Sequence, residues 1–438
     1  MWFAMYIKKY IISFLLLVLG GYALLVLVYA IPTVEIAKNT TDAAVAFSNE
    51  GPYRQLNFGG GRKRVYDFMD SMLLSGNSTQ DNFTDAIMLL NAENTNKGNV
   101  FREALLVNRL TAGDALPTET LIALHTGEKL AYQTESYARY WHGYLVFLKP
   151  LLTIFNYQQI RYLLALGQLA LVVLIVGLLS AKGKGLYGVP VVLTYFFLNP
   201  AVCSLSLQYS TILLLTLLEL VVILLRAEQY AEDRQLWLYH FFIVGCLTSY
   251  FDFLTYPLVT LGVPLIFLLS QYAENWREGI KNLLWCCLLW GAGYLTMWVS
   301  KWGLASLITG ENVLQQACNS ISYRTSAAAA EVGGADMGRL EAIVRNLSAN
   351  GFVLTLIVLI FAVCIVLSLF KKTFRLDGKY LPITLAGLLP FVWYVVVCNH
   401  SIVHSWMTFR TLAVFVYALT TIGVMLMDRQ TPVPDNKN

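Results

Sequence analysis

Apolar runs long enough to cross the hydrocarbon core of a bilayer, about 20 residues each, recur along the whole 438-residue chain. The first extends from Ile11 to about Ile31, and a polar stretch from Pro32 to Tyr157 follows it. Nine further runs lie at roughly 158–181, 186–200, 209–226, 236–250, 256–271, 283–305, 351–370, 380–398 and 410–427. The pattern predicts an all-α polytopic membrane protein of about ten transmembrane helices. It divides the chain into an N-terminal anchor (1–31), a long first loop (32–157), a helical bundle (158–427) interrupted by a second loop (307–350), and a short tail (428–438). The first run exceeds the apolar core of a signal peptide, about 7–15 residues, and is read as an uncleaved anchor.

Within the first loop, helical spacing of apolar residues predicts short helices over Arg64 to Leu74, Phe83 to Leu90 and Val100 to Leu110, with no strands. Gly59-Gly60-Gly61 is a flexible break without the spacing of a phosphate-binding loop. The segment from Tyr137 to Phe155 is interrupted by Arg139, His142, Lys149 and Pro150, so it cannot span. Its Tyr137, Tyr140, Trp141, Tyr144 and Phe147 suit the membrane interface, where amphipathic aromatics settle. In the second loop, 337–347 reads as a helix, and the tail 431–438 as disordered.

Charge placement orients these runs. Lys8-Lys9 precede the first, and Lys182, Lys184, Arg226, Arg234, Arg277, Lys281, Lys371, Lys372, Arg375 and Lys379 fall in alternate connections. The opposite connections 201–208 and 251–255 carry no Lys or Arg. By the positive-inside rule, both termini are cytoplasmic and both long loops lie outside a plasma membrane, with a bacterial source expected. A net charge of only +4 argues against nucleic acid as a partner. The seven cysteines sit in or beside apolar runs and none lies in the first loop, so no disulfide framework or metal motif is expected.

Candidate chemistry gathers on the predicted outer face. Arg139, His142, Asp252, Asn399, His400, His404 and Arg410 all fall there, where cations are suited to hold an anionic headgroup or phosphate. Arg139 and Lys149 also fit simple snorkelling to headgroups, and Asp252 fits a helix cap. His400 and His404 have zinc-like i,i+4 spacing, but no third ligand is near in sequence, so no metal site is expected. The acids suited to general-base work are Glu35, just past the first run, and Asp81 and Asp85, four residues apart at the start of a predicted helix. Asp81 reads equally well as the N-cap of that helix. Glu219 lies in mid-run and is expected to be paired within the bundle.

One anchor helix, a long first outer loop carrying acids and surface-lying helices, and about nine further spans together resemble the GT-C class of integral membrane glycosyltransferases. The segments Arg139-Tyr-Trp-His142 and Asn399-His400…His404…Arg410 are similar to those of bacterial membrane proteins of this kind. The resemblance implies a polyprenyl-phosphate-linked sugar as donor, a cell-surface or lipid-linked glycan as acceptor, and a catalytic acid in the first outer loop. Several branches of the class carry an adjacent acidic pair directly after the first span, and this chain does not, so Asp85, Asp81 and Glu35 all stay open for that role. No other cofactor is implied, and a divalent metal is left undecided. The same features also fit a flippase for a lipid-linked oligosaccharide, or a glycan polymerase relying on Arg324, Arg339 and Arg345.

Overall fold

The computed structural model describes residues 2–54, 56, 78–94, 98–328, 338–372, 374 and 377–428. The predicted helix 64–74, the Gly59–Gly61 break and the tail 431–438 lie outside the described residues.

The predicted apolar runs are helical. The anchor is α1 (Trp2–Tyr29), and the loop domain after it contains α2 (Val34–Asn39), α3 (Thr41–Glu50), α4 (Asn82–Glu93), α5 (Val100–Leu106), α6 (Pro117–Thr126) and α7 (Leu145–Leu152). The bundle begins with α8 (Tyr157–Ala181), α9 (Gly188–Phe197), α10 (Pro200–Leu205), α11 (Leu207–Leu225), α12 (Ala227–Glu232), α13 (Arg234–Phe251), α14 (Leu258–Tyr272) and α15 (Trp276–Thr309). The second loop contains α16 (Val313–Thr325) and α17 (Gly338–Ala349). The chain closes with α18 (Gly351–Phe370), α19 (Tyr380–Gly387), α20 (Leu389–Val396), α21 (Cys398–Val403), α22 (Ser405–Thr408) and α23 (Ala413–Met427). Among the described residues six helical stretches are long and apolar enough to cross a membrane: Lys8–Tyr29, α8, α11, α15, α18 and Ser405–Met427. Shorter apolar helices accompany them at Gly185–Phe197, Leu258–Tyr272 and Tyr380–Val396.

Three expectations for the first loop are corrected. The chain forms a two-stranded antiparallel ribbon, β1 (Arg109–Ala112) and β2 (Tyr132–Glu135), with Arg109 facing Glu135 and Thr111 facing Gln133. The predicted helix to Leu110 stops at Leu106 because Val107 adopts a left-handed conformation with φ 48°, and a left-handed residue ends a helix. The aromatic segment after β2 is packed into the protein, not laid on a membrane surface. Tyr140, Trp141, His142, Tyr144, Leu145, Leu148 and Lys149 are all buried, while Phe147 and Ile154 turn outward. Each polar end finds a partner inside. Trp141 Nε1 donates to the Met297 carbonyl at 2.7 Å, Gly143 N–H donates to the Tyr250 carbonyl at 2.9 Å, and Lys149 Nζ donates to the Ala92 carbonyl at 2.8 Å.

Two apolar cores result. One joins α1 to the loop domain through Leu25, Tyr29, Phe47, Leu89, Trp141 and Tyr157, and reaches α13 at Phe242 and Cys246. The larger one fills the bundle. The loop domain thus shares a core with its own anchor and with one flank of the bundle. On that flank α13 and α15 come into backbone contact through glycines, as small residues allow in helix pairs of membrane proteins. A Cβ on Gly245 would lie 2.1 Å from the Trp290 carbonyl oxygen, and one on Gly293 would lie 2.2 Å from the Phe242 carbonyl oxygen. Gly291, two residues away, faces open space. Overpacking a close contact costs about 1–3 kcal/mol. Gly293→Ala is therefore expected to lower the thermal midpoint of the purified protein measurably, with Gly291→Ala leaving it unchanged. Equal midpoints for the two variants would refute the close contact.

Candidate functional site

The acids of α4 hold the start of α11. Asp81 is the N-cap of α4, as its spacing allowed, and accepts the Thr84 N–H at 2.9 Å. Its own N–H donates to Ser206 Oγ at 3.1 Å, and the Gln208 side-chain amide donates to its carboxylate. Asp85, one turn on, accepts the Leu207 N–H at 2.9 and 3.0 Å and the Tyr157 hydroxyl at 2.6 Å. Leu207 is the first residue of α11, so Asp85 satisfies a backbone donor that the helix itself cannot, at the positive end of its dipole. Arg161 of α8 lies 4.3 Å over the Tyr157 ring and donates to Asn82 Oδ1 at 2.9 Å, with Glu50 at 3.5 Å. Both acids are fully buried. Burial lifts the Asp85 carboxyl to about 7, with Arg161, Tyr157 and the Leu207 N–H offsetting part of the rise. It lifts Asp81 to about 6, offset by Thr84, Arg410 and Gln208. A carboxyl poised near neutrality can both take and return a proton.

An apolar groove of about 400 Å³ lies beside this pair. Met88, three residues past Asp85, and Leu207, its hydrogen-bond partner, line it together with Tyr144, Leu214, Leu215 and Leu218. From Leu207 to Leu218 the groove follows about 16 Å of α11 at 1.5 Å per residue, from the Asp85 end into the apolar span.

A second polar group adjoins the groove through Tyr144. The Tyr144 hydroxyl lies 3.3 Å from His142 Nδ1, and His142 Nε2 lies 2.8 Å from the Tyr137 carbonyl. Burial, with Lys301 nearby, holds His142 well below its ordinary pKa, so it is neutral. Tyr137, Tyr140, His142 and Tyr144 all pack against Phe253. Around Tyr137 stand Arg109 at 5.4 Å and Arg139 at 5.8 Å from its ring, and Arg324 is close enough to act on its hydroxyl. Arg324 also donates to His400 Nδ1, while His400 Nε2 lies 2.7 Å from the Leu254 carbonyl. His400 is held well below its ordinary pKa by burial, then by Arg324 and His404. Only Arg109 has an acid partner, Glu135 at 2.9 Å. Arg139 and Arg324 have none among the described residues. His142 (φ 57°) and Leu254 (φ 67°) both occupy the left-handed region. Such residues cost of order 1–3 kcal/mol each and cluster at functional sites.

The sequence-derived candidates thus divide between places and do not line one cavity. Asp81 and Asp85 form the clamp on α11. His142, Arg139 and His400 meet at Tyr137 and Phe253, with His404 stacked 4.7 Å from His400. Asp252 lies next to Phe253 but is occupied locally, capping Thr255 through its N–H at 3.1 Å and its hydroxyl. Asn399 donates to the Ala328 carbonyl at 2.5 Å. Arg410 is buried beneath the clamp, stacked 3.9 Å over Tyr209 and donating to the Trp406 carbonyl at 3.2 Å. Glu35 is exposed and paired with Lys38 at 3.5 Å, and it lines none of the described cavities. Among the described residues no group of three or more His, Cys, Asp or Glu could hold a metal ion. Sequence reasoning missed Asn82, Tyr157, Gln208 and Arg109. The signal for Gln208 was legible, since Ser206 and Gln208 are polar groups at the very mouth of an apolar run.

The chain matches no protein-family model, no curated protein and no solved structure.

The clamp predicts a pH dependence of stability. A carboxyl raised by folding binds its proton more tightly in the folded state than in the unfolded one. Its contribution to stability is therefore most favourable below the unfolded value and declines as pH rises towards the folded one. For Asp85 that window runs from the ordinary 3.8 to about 7. The thermal midpoint of the wild type relative to Asp85→Asn should fall as pH goes from 5 to 8. A constant difference across that range would contradict a buried, raised carboxyl.

Proposed function

We propose that this protein is a GT-C-like glycosyltransferase, moving a sugar from a polyprenyl-phosphate-linked donor to a cell-surface glycan or lipid-linked acceptor at the outer face of a bacterial plasma membrane. In this reading the nine apolar runs after the anchor all cross, the short helices α9, α14 and α19–α20 included. That gives ten spans, with both termini cytoplasmic. The observation that carries the reading is the groove along α11. Its lining is apolar except for Ser210 and Thr211, it follows a helix long and apolar enough to cross a membrane, and it includes Tyr144 and Leu207, whose N–H Asp85 accepts. An isoprenoid chain entering from the lipid would bring its phosphate to the Asp85 end.

The residues then take the following roles. Leu214, Leu215 and Leu218 receive the lipid tail. Arg139 and Arg324, the two cations without an acid partner beside Tyr137, hold the donor phosphate and stabilise the charge that develops on it as the glycosidic bond breaks. Asp85 takes the proton of the acceptor hydroxyl, with Tyr157 and the Leu207 N–H orienting its carboxylate. Asp81 and Gln208 brace it. Glu35, exposed and paired with Lys38, is not assigned the role. The flippase reading draws support from one observation, the buried Glu219 with His240 at 3.5 Å inside the bundle. Neither residue lines the groove, and that reading leaves the outer arginines and Asp85 without a task.

Removing tail contacts affects donor binding before chemistry, because the tail is held equally in ground and transition states. Leu214→Trp, which fills the groove, should raise the donor KM by roughly tenfold or more with kcat little changed. Asp85→Asn should lower kcat, and Arg139→Ala with Arg324→Ala should lower kcat/KM. The measurement is sugar transfer by the reconstituted protein from polyprenyl-phosphate-linked donors, alongside the glycan composition of cells carrying each variant. Well-folded variants with unchanged transfer and unchanged surface glycan would overturn the assignment.

A further inference from the structure

A second cavity, of about 300 Å³, opens on the loop domain between the β-ribbon, the first turn of α6 and the start of α4. Phe83, Arg109, Thr111, Pro117, Thr120 and Glu135 line it. We infer that this cleft binds a neutral saccharide of one or two rings and, resting on the transferase reading, that it is the acceptor subsite.

Three features select that ligand class. The volume stands at the lower end of the range of small-molecule sites, about 300–1,000 Å³, so the occupant is small. The charges cancel locally. Arg109 and Glu135 face each other in register and pair at 2.9 Å, so an anion would meet the carboxylate and a cation the guanidinium. A polyhydroxylated neutral molecule uses both, donating to Glu135 and accepting from Arg109. Arg109 Nε is buried and has no hydrogen-bond partner among the described residues. A buried donor without a partner is costly, and a ligand hydroxyl would satisfy it. Apart from Thr111 and Thr120, the remaining wall is apolar. Phe83 stacks on Tyr53 at 5.8 Å and 16°, and Tyr53 meets Trp406 edge-on at 5.2 Å. An aromatic ring beside Pro117 and Leu116 suits the C–H face of a sugar, while the polar pair suits its hydroxyl rim.

A cross-strand ion pair alone is ordinary sheet chemistry. The enclosing cavity and the unsatisfied Nε distinguish this one. Its position adds a link, because Arg109 also stands 5.4 Å from the Tyr137 ring, which carries Arg139 at 5.8 Å. A glycan in the cleft would sit next to the arginines assigned to the donor phosphate.

The test is saturation-transfer NMR on the full chain in lipid nanodiscs. The probes are a panel of neutral disaccharides, with a uronic-acid-containing disaccharide for comparison. Neutral probes should bind and the acidic one should bind less. Glu135→Ala and Phe83→Ala should each weaken binding by roughly tenfold, the loss of a charge-assisted hydrogen bond or of an aromatic platform, and Glu135→Gln should retain most of it. Glu135 is more than half exposed, so its variants test the site even where Phe83→Ala does not fold. No binding by any disaccharide, preferential binding of the acidic probe, or affinity untouched by Glu135→Ala would overturn the inference. Cleft-dependent binding without any sugar transfer from a polyprenyl donor would uphold the saccharide site and overturn the transferase reading. Transfer whose acceptor KM ignores Glu135→Ala would do the reverse.

Discussion

Two buried carboxylates fix the relation between the loop domain and the helical bundle. Asp81 and Asp85 come from the start of one helix of the loop domain and meet Ser206, Leu207 and Gln208 at the start of a helix long and apolar enough to cross a membrane. A helix start buried in protein needs external acceptors for its first N–H groups, and a buried carboxylate needs donors. Each requirement meets the other here. Tyr157 and Arg161 extend the contact to the first bundle helix, so three elements far apart in sequence are fixed by one polar knot.

The position of the knot determines what surrounds it. Below it the packing of α4, α7, α8 and α11 leaves an apolar groove. Beside it Tyr144 and His142 lead to Tyr137, Phe253 and the arginines. Against the start of α4, the β-ribbon encloses a cleft of mixed polarity. In the proposed reading the groove receives the lipid tail, the arginines its phosphate and the cleft the sugar acceptor, and the arginines stabilise phosphate charge through fixed dipoles and hydrogen bonds.

Much of the architecture was legible in the sequence because the bilayer demands it. An apolar run of the required length has few alternatives to helix, and the runs did become helices. The helix at Asn82 and the capping role of Asp81 were also readable, since both are local. What escaped was set by tertiary contact. Val107 in a left-handed conformation stopped a helix that periodicity would have continued, and two facing segments paired into strands. The aromatic segment from Tyr137 to Phe147 looked interfacial because its polar ends seemed to need water, yet Trp141, His142 and Lys149 each find a carbonyl inside the protein. Clustering of cations by membrane side was visible in the sequence, but the division of Arg139 and His400 from Arg410 was not. It depends on which face of each short helix between the long runs turns inward.

The most direct test of the central claim is where a lipid-linked ligand lies. A polyprenyl phosphate carrying a photoreactive group in its tail should, on irradiation with the reconstituted protein, label the groove residues Leu151, Leu164, Leu214 and Leu218. Competition by an unlabelled polyprenyl-phosphate sugar should remove that label. Labelling spread over outward-facing leucines such as Leu284 and Leu359, or labelling of the groove that the sugar donor does not displace, would contradict the account.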